Sequence, residues 1–209
     1  MAKPPETDAE MAATHVSGIA TVHNDTVYLA PYDPAWPTQY EAEAAKIRAA
    51  LGERALVLEH VGSTSIPGIP AKPVLDVLLA VADSADEAAY VPALVAQGYR
   101  LHIREPEWEQ HRLLKGQDPA INLHVFTDGS HEIRRMIAFR DRCRTLPEER
   151  RLYEETKRAL AGRVWRYVQH YANAKGEVVE AIIARALAEQ PVSPPAADRA
   201  GRSPRPSAR

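Results

Sequence analysis

The chain has 209 residues and a single cysteine, Cys143, so no internal disulfide can form. Any zinc site would have to lean on eight scattered histidines, and the expected compartment is reducing. No apolar run approaches the roughly 20 residues that cross a bilayer. The start, MAKPPETDAEMAATH, lacks the basic-then-apolar layout of a secretory leader. The expectation is a cytoplasmic protein with no membrane partner. Charge of one sign is missing too: 26 basic residues face 28 acidic ones, a net charge of −2. Composition therefore carries no signature of a nucleic-acid binder, no nucleic-acid partner is expected, and any anion site must be local. Internal repeats are absent as well.

The ends are polar and the middle is patterned. Residues 190–209, QPVSPPAADRAGRSPRPSAR, hold five prolines, four arginines and one acid, a composition that predicts a disordered Pro/Arg-rich tail. Residues 1–24 read as a flexible N-terminal segment, which leaves 25–189 as one folded domain. Within it, Val27-Tyr28-Leu29 is short and extended. Asp33 to Pro37 offers a cap and an early proline, and Trp36, Tyr40, Ala44, Ile47 and Leu51 recur at helical spacing. Leu56 to Val61 and Val74 to Val81 read as strands. Ala85 to Gln97 reads as a helix ended by Gly98, with Pro92 a possible kink. Tyr99 to Arg104, His111 to Lys115 and Ile121 to Thr127 alternate as strands, and Gly116 to Pro119 turns the last two into a hairpin. Beyond Gly129 three helical stretches follow: one with Ile133, Met136, Ile137 and Phe139 on a face, one opened by Pro147, and one striped by Val178, Val179, Ile182, Ile183 and Leu187. The fold class is α+β, a sheet with flanking helices and a helical C-terminal half.

The segment EHVGSTSIPGIPAKPVLDVLLAV, residues 59–81, is where chemistry concentrates. Gly62 follows a strand and lets backbone approach a ligand, while Ser63 and Thr64 add hydroxyl and amide donors suited to phosphate. A glycine-serine pair in that position is also simply a turn. Twelve residues separate Ser63 from Asp76, which lies within the apolar run Val74-Leu75-Asp76-Val77-Leu78. An unpaired carboxylate buried there would cost several kcal/mol, so it must face a cation or a cleft. Strand, glycine-serine turn, spacer, then an acid on the next strand is the layout by which polymerase-β-type nucleotidyltransferases hold a triphosphate on the turn and Mg²⁺ on the acid. A Walker loop does not fit, since Gly62 and Gly68 enclose five residues and Lys72 follows alanine; a nucleophile elbow lacks its G-x-S-x-G order.

His60-Val-Gly-Ser-Thr-Ser-Ile-Pro-Gly-Ile-Pro-Ala-Lys-Pro-Val-Leu-Asp76 resembles the signature of the GrpB family. So do Tyr32-Asp-Pro-Ala-Trp36, Asn122-Leu-His-Val-Phe126 and Phe139-Arg-Asp-Arg142. The resemblance spans about residues 27–188 and implies a nucleotidyltransferase-like mixed sheet; the family also occurs fused to dephospho-CoA kinase. Active nucleotidyltransferases of this kind carry a second acid two residues beyond the first, and here that position is Leu78. The metal ligands expected are Asp76 and, closing the strand before the turn, Glu59. His124 stands roughly where such folds place a third acid, as a general base or substrate contact, with a hydrogen-bonded strand histidine as the alternative; His60 is a similar candidate. Lys72, Arg112 and Arg140 are candidate phosphate contacts, each alternatively a solvated or paired side chain. Tyr167, Tyr171 and Lys175 stripe a helix face that would close over a ligand or simply pack. Cys143 reads as a buried thiol.

The function expected is a Mg²⁺-dependent transfer of a nucleotidyl group from ATP, or another nucleoside triphosphate, to a small-molecule acceptor. A carboxylate acceptor would give an acyl-adenylate, and capture by an amine would make the protein an ATP-dependent amide ligase. The alternative is a catalytically reduced module that binds a nucleotide or a phosphometabolite linked to coenzyme A. A purely structural role would need Lys72 or Arg140 to pair with Asp76.

Overall fold

The computed structural model describes residues 7–19 and 21–189. The tail expected over 190–209 lies outside the described residues. Within the N-terminal segment, Thr7 and Glu10 form a reciprocal capping box that starts helix α1 (Asp8–Thr14). Val27 to Leu29 joins no strand; the Val27 amide bonds the Ala161 carbonyl, and Ala30 bridges Ala71. Asp33 does not cap directly. Its Oδ1 accepts the Ala35 amide at 2.8 Å and its carbonyl the Trp36 amide at 3.1 Å, which turns the chain into α2 (Trp36–Leu51). The five apolar positions of that helix are all buried.

Five strands form one sheet in the order β1 (Val57–Val61), β2 (Leu75–Val81), β5 (Ile121–Thr127), β4 (His111–Gly116), β3 (Arg100–Glu105). Only β2 and β5 run parallel. The hairpin of β4 and β5 forms as its turn residues predict. Between β2 and β3 the structure departs from expectation: instead of a helix over Ala85–Gln97 there is a 3-10 turn at Glu87–Ala89 and a short α3 (Val91–Val95). Pro92 lacks an N–H and fits only the first turn, so it begins a helix there instead of kinking one.

Paired residues share a face of a sheet. One face presents Leu58, Leu75, Val77, Leu79, Val81, Leu114, Ile121, Leu123 and Val125, and these pack with α2 and α3 into the main core. The other carries Glu59, Val61, Asp76, Leu78, Asn122, His124, Leu113 and Lys115. Helix α4 (His131–Thr145) covers only part of that second face, through Ile133, Met136 and Ile137 against Val61, Leu78, Ala80 and Phe126. Phe139 is not on that side. It packs with Cys143, Ile66, Ile69, Tyr153, Ile182 and Ile183, linking α4 to α5 (Pro147–Ala161) and α7 (Gly176–Glu189), with α6 (Val168–Ala174) between them. The uncovered part of the face, around Asp76, is a cleft between the sheet and these helices.

Candidate functional site

The turn after β1 is a 3-10 turn, Ser63–Ser65, entered through Gly62 at φ +67°. A Cβ on Gly62 would lie 2.3 Å from Asp76 Oδ2, so glycine is required both by the backbone and by the carboxylate beside it. The amides of Ser63 and Thr64 donate to no acceptor among the described residues. The Ser63 hydroxyl lies 3.0 Å from that of Tyr153 on α5. The Thr64 hydroxyl turns inward, to His60 Nε2 at 3.0 Å and the Val74 carbonyl at 3.4 Å, and braces the turn from behind.

Asp76 sits at the floor of the cleft with its side chain 30% exposed, so solvent reaches it. Burial pushes its carboxyl up, but the His124 imidazole, the Asn122 amide and the Lys72 ammonium together outweigh burial and hold it below the usual carboxylate range. Asn122 Nδ2 donates to Oδ1 at 2.9 Å, and His124 Nε2 lies 3.5 Å from the same oxygen. Register brings these together: Asn122 pairs with Asp76 and His124 with Leu78 across β2 and β5.

Behind His124 runs a chain that the sequence did not disclose. Its Nδ1 lies 3.2 Å from Nε2 of His111, whose Nδ1 lies 2.7 Å from Glu105 Oε2 on β3. His111 is buried and stacked against His124 and Phe126. Burial lowers its pKa, opposed by the hydrogen bond to Glu105. With Glu105 accepting from Nδ1–H of a neutral His111, His111 Nε2 is an acceptor that takes a hydrogen bond from His124 Nδ1–H. The Nε2 of His124 is left facing Asp76.

Two half-buried lysines look into the cleft. Burial lowers the pKa of Lys72, opposed by Asp76, and that of Lys175 falls to about 8 for the same reason. Burial depresses each lysine, and neither is in an ion pair among the described residues. Lys175 is steered by the rings of Tyr171 and Tyr153, 4.6 Å and 5.8 Å away. The stripe of Tyr167, Tyr171 and Lys175 thus divides: both tyrosines are buried packing, and the lysine reaches the site.

Other expected site residues lie elsewhere. Arg112 is on the opposite face of the sheet, where Nε bonds Glu87 at 2.6 Å; alternation along β4 sends its neighbours His111 and Leu113 toward the cleft side instead. Arg140 is occupied by Asp141 at 2.7 Å, Glu59 at 2.6 Å and the His60 carbonyl at 3.0 Å. Glu59 is therefore tied to Arg140 and does not join Asp76. Both line a separate pocket of about 270 Å³ with Tyr32, Tyr40 and Arg144. His60 stacks on Tyr40 at 4.8 Å, and burial lowers its pKa to about 4, so it is a neutral prop for the turn. Cys143 is buried, and burial raises its thiol to about 12, out of the nucleophilic range at neutral pH. Among the described residues no group of three or more His, Cys, Asp or Glu is placed to hold a metal, and no helix is long and apolar enough to cross a membrane.

A glycine-serine turn closing on a carboxylate of the next strand is thus set in an α+β domain, a five-stranded mixed sheet flanked by helices. The family model described as GrpB protein matches residues 26–185, and the chain belongs to the GrpB family. It is 52% identical over 184 residues to a UPF0157 protein of Halalkalibacterium halodurans, covering 88% of this chain and 94% of that one. The crystal structure of the conserved protein GrpB from Enterococcus faecalis superposes with a TM-score of 0.65 at 29% identity, over 78% of this chain and 98% of the other. A dephospho-CoA kinase of Mycolicibacterium paratuberculosis is 30% identical over 175 residues, 71% of this chain and 43% of its own length.

Proposed function

We propose that the protein binds a nucleoside triphosphate, ATP or a relative, in the cleft and transfers its nucleotidyl group to a small-molecule acceptor. The observation that carries this reading is the contact between Gly62 and the Asp76 carboxylate, with Lys72 and Lys175 beside it. The free amides of Ser63 and Thr64 would take phosphate oxygens. Lys72 and Lys175 would neutralise the polyphosphate, which in turn restores their charged form. Asp76 would hold the divalent cation, expected to be Mg²⁺, that polarises the transferred phosphoryl. Tyr153, bound to Ser63, fixes the turn under the C-terminal helices. A carboxylate acceptor would leave as an acyl-adenylate, the amide-ligase variant of the same chemistry.

A second reading is favoured by Leu78. It is fully buried under Ile133, so the position of the usual second acid is closed to metal. The cleft would then hold a phosphorylated metabolite without turnover, and the kinase relative suggests one allied to coenzyme A.

Calorimetric titration of ATP, GTP, CTP and UTP with and without divalent metal, alongside Asp76→Asn, tests both. Metal-dependent binding that the substitution abolishes, with pyrophosphate released on adding acceptors, supports transfer. Binding of a phosphorylated metabolite but of no triphosphate favours the second reading and removes the first.

A further inference from the structure

His124 is held in one orientation by more than its cross-strand neighbour Leu113. Glu105 orders His111, His111 orders His124, and the only ring atom left over is Nε2, aimed at Asp76 Oδ1 from 3.5 Å. That separation is long for an N–H···O hydrogen bond, whose mode is about 2.9–3.0 Å. It suits two donors on one ion: ligands at roughly 2.0–2.2 Å from a metal lie about 3.0–3.5 Å apart for angles between octahedral and tetrahedral. Metal-bound histidines almost always give their other N–H to an ordered acceptor, and carboxylate–histidine pairs behind the ligand raise its basicity. Here the acceptor is itself a histidine anchored on a carboxylate.

Resting on Asp76 as the metal anchor of the proposed function, we infer that His124 is a metal ligand that replaces the carboxylate absent at Leu78, with His111 and Glu105 as its positioning residues. The register supports the substitution, because His124 stands directly beside Leu78 on the neighbouring strand. The consequence is a change of metal. Imidazole binds Mn²⁺, Co²⁺ or Zn²⁺ well and Mg²⁺ poorly, so one carboxylate and one imidazole select a borderline ion over the hard one. Triphosphate oxygens and water complete the shell. This places His124 on the metal and removes it from the acceptor's proton.

The test uses the full chain, uniformly labelled with ¹⁵N, titrated with Mn²⁺ alone and with ATP and read by pulsed electron paramagnetic resonance. The label separates protein nitrogen from adenine nitrogen, and the wild-type spectrum needs no variant to fold. The expected result is a directly bound ¹⁵N coupling that His124→Gln removes. His111→Phe should weaken Mn²⁺ about 10–100-fold, and His124→Asp should lose the coupling while gaining Mg²⁺ affinity. Mn²⁺ bound with ATP but without a nitrogen coupling overturns the inference and leaves the triphosphate site standing. Equal affinity for Mn²⁺ and Mg²⁺ in the wild type overturns it too. Binding of no metal and no triphosphate removes the proposed function and this inference together.

Discussion

At Gly62 the backbone is at φ +67° and the neighbouring carboxylate leaves no room for a Cβ, which would meet Asp76 Oδ2 at 2.3 Å. Gly68 has φ +86° and nothing within 4 Å. Alanine at either position costs about 1–2 kcal/mol for the left-handed backbone, but only Gly62→Ala displaces Asp76. Chemical denaturation should show a larger loss for Gly62→Ala, whose Cβ must push Asp76 aside, than for Gly68→Ala, and calorimetry should show triphosphate binding lost in Gly62→Ala alone; equal affinities would separate the turn from the site. Lys157 makes a pH prediction. Its ammonium is buried against the Pro70 carbonyl, and burial, then Lys175, lowers its pKa from 10.5 to about 7. Between those values the unfolded chain keeps the proton and the folded chain does not. Stability therefore rises with pH across that window, is complete above it, and is lost as pH falls through about 7. Lys157→Met should flatten that rise by a few kcal/mol, on the order expected for one buried lysine; denaturation midpoints at several pH values with parallel slopes for the two proteins would refute it.

Between elements, Glu149 is the tie. Arg142 of α4 donates to it at 2.8 Å and Arg185 of α7 at 2.7 Å and 2.6 Å, while Glu149 itself lies on α5. The Arg185 and Arg142 guanidiniums hold its carboxyl down to about 2. Its contribution is present above the ordinary carboxylate range and lost as pH falls through about 2. Glu149→Gln should cost about 2 kcal/mol, less than the roughly 3–5 of a fully enclosed pair because Arg185 is partly exposed. It should also flatten the acid limb of a stability profile; an unchanged limb would show the three helices to be held by apolar packing alone. The turn, its strands and Asp76 were legible because their signal is local: a glycine, two hydroxyls and an acid inside an apolar run. Arg112 was misplaced because strand alternation shows that neighbours diverge but not which of them faces the cleft. His111 and Glu105 were invisible for a related reason, since they meet only through the register of β3 on β4 and the shift between Leu101 and Ile103. Arg140 was drawn to phosphate by its motif, whereas the structure spends its charge on Glu59 and Asp141. Pro92 reads the same in a kink and in a first turn until its neighbours are placed.

Across the molecule the charge is slightly negative, −2, while the cleft holds Lys72 and Lys175 against Asp76 alone. On the proposed function, a triphosphate would not be steered from afar, and its attraction would begin within about one Debye length, ~8 Å at physiological salt. Binding there would join two layers that share no strand: β2 and β5 supply Asp76, Asn122 and His124, and the helical half supplies Tyr153 of α5 and Lys175, the cap between α6 and α7. A ligand that bridges them stabilises the whole fold, not one loop, and by mass action does so by about 2.7 kcal/mol at one hundred times its dissociation constant. For a domain of this size that is a rise in Tm of roughly 5–10 °C. Differential scanning calorimetry with ATP and Mn²⁺ should show that rise for the wild type, little of it for Asp76→Asn, and a partial rise for Lys175→Met, which keeps the sheet contacts and loses the helical one. A full rise in Lys175→Met would mean that the C-terminal helices merely stand beside the ligand, and the cleft would then be a feature of the sheet alone.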